Sequence, residues 1–451
     1  MDHRPTPSIV PFREALRVWV RVALLSFGGP AGQIAVMHRI LVDEKRWVSE
    51  RRFLHALNYC MLLPGPEAQQ LATYVGWLLH GWRGGLVAGT LFILPGFLSI
   101  FALSVLYAGF QGVSWVEALF FGLKPAVMAV VAQAVVHMAR RALGNSTKIS
   151  LALAAFVAIH FLEVPFPIII LTAAGVGLLG GRLWPEHFTK TSSEEAGTED
   201  LEAAGGSSVP HPGPLRTSGV VVTWLVLWWV PLIGLAWALG GDHVLTRVGL
   251  FFAQASVVTF GGAYAVLAYV AQQAVETFGW LEPGEMLDGL GMAETTPGPL
   301  IQVVQFVGFM AVFRHVDGLD PMLGGLLGSV VVSWVTFAPC FLFIFAGAPY
   351  IEALRGHRGL GAALSAITAA VVGVILNLAV WFSLHTLFGQ IDEIHFGGLR
   401  LLVPKVSTLD PASAMLAILA FVALWRFRLG MIPTLFGSVA LGMAWYLWGG
   451  V

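Results

Sequence analysis

Four Gly/Pro clusters interrupt the apolar sequence of this chain, and polar side chains able to donate to an anion flank each of them. They are Phe27-Gly28-Gly29-Pro30, Pro64-Gly65-Pro66, Phe260-Gly261-Gly262 and Pro297-Gly298-Pro299. Pro30 and Pro66 suit the first position of a new helix, where the missing N–H costs nothing. A helix starting there exposes amide donors and roughly half a positive charge, which together make an anion site. Gly28, Gly29, Gly65, Gly261, Gly262 and Gly298 would supply backbone amides; Ser26, Gln33, Gln69, Gln70, Thr259, Thr295, Thr296, Gln302 and Gln305 would supply side-chain donors. Any one of these could instead cap a broken helix or bond a neighbouring one. Their grouping around four breaks is what points to a ligand. One helix end contributes up to about 2 kcal/mol, and stripping water from a doubly charged anion costs far more, so several ends are needed.

Charged groups near the breaks are few. Lys124 is the only Lys or Arg well inside an apolar span, where a lysine costs about 2.5–3.5 kcal/mol on insertion scales. It could attract the anion directly, pair with Glu67 or Glu117, or snorkel to the interface. Glu67 follows Pro66, and Glu294 precedes the last break. A carboxylate beside an anion site would repel the substrate when ionised and donate to it when protonated, which makes both residues proton-coupling candidates. Glu67 also fits a plain helix-start acid that complements the dipole. His80, His137, His160 and His385 form no metal spacing, Cys60 and Cys340 lie in apolar runs, and no phosphate-binding Gly-rich loop is present. No metal, cofactor, nucleic-acid partner or enzymatic activity is expected.

The elements that must position these groups lie in a membrane. Of 451 residues, 57% are hydrophobic and 11% charged, with mean hydropathy +0.78, against about 25% charged in soluble chains. The net charge of −1 identifies no partner. The N-terminal arginines Arg4, Arg13, Arg17 and Arg21 precede no cleavable pattern and read as a retained cytoplasmic leader. The breaks recur at one offset: 260 − 27, 280 − 47 (Trp47 and Trp280) and 297 − 64 are each 233. Matched interruptions in two repeats are the best sequence-level pointer to a transport site.

Apolar segments of spanning character run at 14–38, 51–79, 84–108, 114–139, 149–163 and 166–182, and again at 247–270, 286–312, 322–348, 360–386, 411–424 and 431–449. The expected organisation is a first repeat at 12–184, a polar disordered linker at 185–217, a connecting transmembrane helix at 218–239 and a second repeat at 243–450. The fold class is an all-α polytopic membrane protein. Whether each half has six spans, or four spans and two re-entrant hairpins, the single connector makes the count odd. The halves are therefore inverted and the termini lie on opposite sides.

Charge favours the hairpins. If segment 14–38 turns back, Arg39, Lys45, Arg46, Arg51 and Arg52 share a side with the N-terminal arginines. Then Arg140, Arg141, Lys148, Arg182, Arg355, Arg358, Arg426 and Arg428 also lie inside, leaving Arg247, Arg314, Arg400 and Lys405 outside. The matching loop 271–285 has Glu276, Glu282 and Glu285 but no Lys or Arg. The N-terminus is thus expected in the cytoplasm and the C-terminus outside.

Ser26-Phe27-Gly28-Gly29-Pro30, Pro64-Gly65-Pro66-Glu67-Ala68-Gln69-Gln70-Leu71-Ala72, Thr259-Phe260-Gly261-Gly262 and Thr295-Thr296-Pro297-Gly298-Pro299 resemble the chromate ion transporter family in its long, two-domain form. The likeness covers nearly the whole chain. It implies about 13 membrane segments in opposed repeats, location in the inner membrane and export of chromate. It also implies chromate resistance and a drive from the membrane potential or proton gradient. Sulfate, a related oxyanion, or flow through an oxyanion channel remain alternatives, and a homodimer remains open. The halves differ in their charged groups: Glu67 aligns with Leu300, Pro30 with Ala263, and Lys124 with Ser365.

Cysteines placed at 39–52 should react with a membrane-impermeant thiol reagent only from the cytoplasmic side; reaction from outside would refute the hairpin topology.

Overall fold

The computed structural model describes residues 10–110, 112–188, 213–260, 262–350 and 358–450. Most of the expected linker, 189–212, and Gly261 therefore lie outside the described residues. The first half contains α1 (Phe12–Leu25), α2 (Gly29–His38), α3 (Glu50–Cys60), α4 (Glu67–Gly109), α5 (Ser114–Ala142), α6 (Ser146–Phe161), α7 (Phe166–Leu183) and the short α8 (Pro185–Phe188). The connecting helix α9 (Pro214–Leu239) starts four residues before the expected 218. The second half contains α10 (Val244–Val258), α11 (Ala263–Ala271), α12 (Pro283–Thr295), α13 (Val303–His315), α14 (Pro321–Gly347), α15 (Arg358–Leu387), α16 (Pro411–Trp425) and α17 (Met431–Trp445).

Among the described residues, seven helices are long and apolar enough to cross a membrane. α6 and α16, which occupy matching places in the two halves, are apolar but only 16 and 15 residues long. Most of the helices around the breaks are shorter still. α1 has 14 residues, about 21 Å at 1.5 Å per residue, against a hydrocarbon core of about 30 Å.

The repeat extends to backbone hydrogen bonds. α2 runs into a π-helical stretch at Arg39–Glu44, and α11 into one at Gln272–Thr277, which is 233 residues later at both ends. The Trp47 amide then bonds the Leu41 carbonyl at 2.9 Å, and the Trp280 amide bonds the Ala274 carbonyl at 2.7 Å. α4 is not one rod: His80 and Gly81 (φ +60°) leave the helical region. The arms 67–79 and 82–109 fold against each other so closely that a β carbon on Gly84 would lie 2.2 Å from the Gly76 carbonyl oxygen.

The two halves exchange helices. α5 packs against α16 and α17, the last pair of the second half, while α15 packs against α6 and α7, the last pair of the first. Small residues permit the approach. Ser438 of α17 donates to the Gly122 carbonyl of α5 at 2.7 Å. A β carbon on Gly177 of α7 would lie 2.7 Å from Ala363 Cα of α15. The main core runs from α4 through α17 across both halves; a smaller one joins α1, α2, α3 and the first part of α4 to Ile344 and Ala348 at the end of α14.

One element departs from the all-α expectation. β1 (Ile391–Phe396) and β2 (Leu399–Pro404) form an antiparallel hairpin closed by Gly397 (φ +57°) and Gly398 (φ +85°). Two residues of positive φ give the tight turn that matches strand twist. Arg400 of β2, only 8% exposed, ties the hairpin down. It contacts Glu276 at 2.8 and 2.9 Å, Glu393 at 3.0 Å and Glu163 at 3.4 Å. Burial opposes its charge, but the hydrogen bonds to Glu276 together with the charges of Glu276, Glu393 and Glu163 more than offset that and hold the guanidinium above its ordinary range. Arg400→Ala should cost about 1–3 kcal/mol of stability, discounted because its partners are partly exposed. It should also open 391–404 to limited proteolysis; unchanged cleavage would show that the hairpin stays down without it.

Candidate functional site

Hydrogen bonds join the four breaks in two pairs across the halves, the first with the fourth and the second with the third. Each half ends its first helix at a hydroxyl residue, Ser26 on α1 and Thr259 on α10. The two hydroxyls donate to the carbonyls four residues back, Val22 and Ala255, each at 2.6 Å. That is the capping role, and it leaves the backbone carbonyls of Ser26 and Thr259 for the other half. The Gly298 amide bonds the Ser26 carbonyl at 2.9 Å, and the Gly65 amide bonds the Thr259 carbonyl at 2.8 Å. Donors and acceptors here correspond at the 233-residue offset, since 65 + 233 = 298 and 26 + 233 = 259. Contacts of i with j repeated as j with i are what a two-fold relation produces.

These bonds correct one expectation. Gly65 and Gly298 do not present free amides to an anion; they close the breaks against each other. Their positive φ of +118° and +108° needs glycine. α2, α4 and α11 do begin as expected, at Gly28-Gly29, Pro66 and Gly262, each without a side-chain cap. Their first-turn N–H groups have no intrahelical partner. Gly261, expected to add an amide, is outside the described residues.

The carboxamides mostly brace the breaks. Gln33 donates to the Gly298 carbonyl at 2.5 Å and Gln70 to the Pro64 carbonyl at 2.7 Å. Gln69 bonds Thr73 at 3.0 Å, and its repeat counterpart Gln302 bonds Gln305 at 2.5 Å and Ser333 at 3.1 Å. Gln305 also reaches the Phe97 carbonyl at 3.0 Å. Thr295 and Thr296 donate to carbonyls of their own helix. The carboxamide oxygens of Gln69, Gln70 and Gln302 stay buried without a hydrogen-bond partner. Ser333 also lines a cavity of about 820 Å3 between α4, α9 and α14, walled by Trp82, Trp224, Trp334 and Phe337 and bordered by Arg216.

Each carboxylate faces the opposite half. Glu67, in the first turn of α4, places Oε1 3.5 Å from where a β carbon of Gly262 would stand, at the start of α11. Glu294, on α12, places Oε2 3.9 Å from the corresponding point of Gly29, at the start of α2. Gly29 and Gly262 are again 233 apart, whereas Glu67 and Glu294 are not equivalent. Glu294 is 1% exposed; Tyr264 of α11 donates to its Oε1, and its Oε2 has no partner. It lies in the last turn of its own helix, where the dipole disfavours an anion. Its own half offers the Tyr264 hydroxyl, and the opposite half the start of α2.

Lys124 is not gathered with the breaks. Its Nζ lies 3.4 Å from Asp288 Oδ2 and beside Gly284 in the first turn of α12. Eleven residues, about 16 Å of helix, separate Gly284 from Thr295 at the break. Asp288 also accepts from Tyr107 at 2.9 Å. Neither Asp288 nor Tyr264 was identified from sequence; Asp288, an acid inside the 286–312 segment, was the available signal. Elsewhere, Glu163, Glu393 and His395 bring ligand atoms within 4.8 Å of one another, but all three are exposed and Arg400 already holds both carboxylates.

Residues 13–178 and 246–443 match the chromate transporter family model. A chromate transport protein of Cupriavidus metallidurans is 27% identical over 432 residues, 95% of this chain and 92% of that one. One of Pseudomonas aeruginosa is 32% identical over 379 residues, 82% of this chain and 80% of that one. A probable chromate transport protein of Synechococcus elongatus is 27% identical over 380 residues, 83% and 86% of the two chains. No solved structure matches.

A β carbon on Gly298 would lie 2.9 Å from Gly96 Cα. Gly298→Ala should therefore lower transport at least tenfold, with strain of about 1–3 kcal/mol read as a fall in thermal midpoint. Gly234→Ala, where a β carbon meets nothing within 4 Å, should change neither.

Proposed function

We propose that this protein, which belongs to the chromate transporter family, is a secondary transporter that carries chromate, a tetrahedral dianion, out of the cell across the inner (plasma) membrane and so confers resistance to it. The observation that carries this reading is the meeting of uncapped helix N-termini from both halves at one buried polar centre. Broken backbone at membrane depth persists only where protein buries it or a cavity adjoins it, and uncapped N-termini favour an anion. The named functions of the relatives select chromate among anions of that shape.

In this reading the halves traverse the bilayer in opposite senses and the broken segments are re-entrant hairpins, with the N-terminus cytoplasmic and the C-terminus external. The reciprocal backbone bonds, the helix exchange and the single connecting helix α9 support it. Chromate binds where the starts of α2, α4 and α11 converge, with Gly28, Gly29, Gly262 and the first turn of α4 around it. Gln33, Gln69, Gln70 and Gln302 reorient from bracing the breaks as the elements shift. Lys124, paired with Asp288, draws the anion toward the site rather than holding it there. An inside-negative potential favours outward movement of a charge by about 2.3 kcal/mol per 100 mV, hence about 4.6 kcal/mol for a dianion. Glu67 and Glu294 are the groups through which a proton gradient acts on the same site.

Purified protein in liposomes should give saturable chromate flux that follows an imposed potential and is competitively inhibited by sulfate. Absent flux, or flux that never saturates, would sink the carrier reading; sulfate carried as well with chromate excluded would replace the substrate.

A further inference from the structure

Two carboxylates stand, from opposite halves, beside the helix N-termini that the transport reading assigns to substrate. We propose that Glu67 and Glu294 are tethered stand-ins for the substrate's oxygens: they fill the resting site, and their two charges make it selective for dianions over monoanions. The proposal rests on the reading of this centre as the oxyanion site and adds how that site chooses.

Four observations carry it. Glu294 is buried, one of its oxygens has no partner, and that oxygen faces the start of α2 across the interface between the halves. It sits at the unfavourable end of its own helix, so helix capping does not account for it. Glu67 faces the start of α11, the repeat equivalent of α2, although 67 + 233 is Leu300 and not a carboxylate. The same geometry is therefore reached from two unrelated sequence positions. Finally, Glu294 holds the Tyr264 hydroxyl, a donor that an incoming oxyanion would receive once the carboxylate moved off.

Other ionisable groups nearby are already engaged. Lys124 and Tyr107 face Asp288, and Arg314 pairs with Glu285, all toward the other end of α12. Around Glu67 the titratable neighbours are the thiol of Cys60 and, beside Gly65, that of Cys340. No cation within this set neutralises the two carboxylates at the breaks. A side chain anchored in the same molecule competes at high effective concentration. A monoanion that displaced one carboxylate would leave the other helix end still filled. A dianion with oxygens on several faces replaces both and keeps the local charge constant.

The test uses the full chain, purified in detergent, with sulfate as the dianion and nitrate as the monoanion. Wild type should bind sulfate and not nitrate. Glu294→Gln and Glu67→Gln should each bind sulfate at least tenfold more tightly, and each should let nitrate compete. Unchanged or weaker sulfate binding in correctly folded variants would overturn the proposal while leaving the transporter intact. Failure of wild type to bind either sulfate or chromate would instead remove the underlying site. An infrared difference spectrum of wild type with and without sulfate needs no variant: carboxylate bands should shift, and a silent carboxylate region overturns the proposal.

Discussion

Two backbone hydrogen bonds between the halves, from Gly298 to Ser26 and from Gly65 to Thr259, are the constraint on which the rest of the centre depends. A helix interrupted inside a membrane leaves amides and carbonyls that lipid cannot satisfy. Here each half supplies what the other lacks, so neither set of breaks is complete alone. The glycines are required because those amides can be presented only with positive φ. Once the breaks are locked together, the starts of α2, α4 and α11 are free of that structural duty, and the polar centre follows.

Charge is distributed less evenly than backbone. Both halves have the same broken helices, π-helical stretches and reversals, yet Lys124, Asp288, Glu67 and Glu294 have no counterparts of like charge at their repeat positions. Burial differs too: α13 is enclosed along nearly its whole length, whereas α1 exposes Leu16, Val20, Leu24 and Leu25. In the carrier reading, a shared frame with unequal charge would give the two faces of the centre different affinities. A carrier that releases on one side what it took up on the other needs such a difference.

The breaks were legible because Gly and Pro announce themselves in apolar sequence, and the constant offset of 233 fixed their correspondence. What the breaks bond to was not legible. Gly65 and Gly298 read as anion donors, but their acceptors are carbonyls 259 − 65 = 194 and 298 − 26 = 272 residues away in sequence, and no local pattern encodes that pairing. Lys124 read as a cation inside a span with Glu67 or Glu117 as possible partners; it is half-buried and pairs with Asp288, which the apolar run around it masked. The hairpin at 391–404 was overlooked although Ile391-Asp392-Glu393-Ile394-His395-Phe396 alternates and Gly397-Gly398 is a strong turn signal. A search tuned to 20-residue spans passes over six-residue strands.

The exchange of helices also sets a timetable. α7 meets its partner through Gly177 and Ala363, and 363 − 177 leaves 186 residues still to be synthesised after the first of them. At about 5–20 residues per second, α6 and α7 wait on the order of ten to forty seconds in the bilayer with small-residue faces unfilled. α5 waits longer, since Ser438 of α17 follows its partner Gly122 by 316 residues. The newborn first half is thus an open frame that later chain must close, and defects late in translation will register as failure of helices inserted near its beginning.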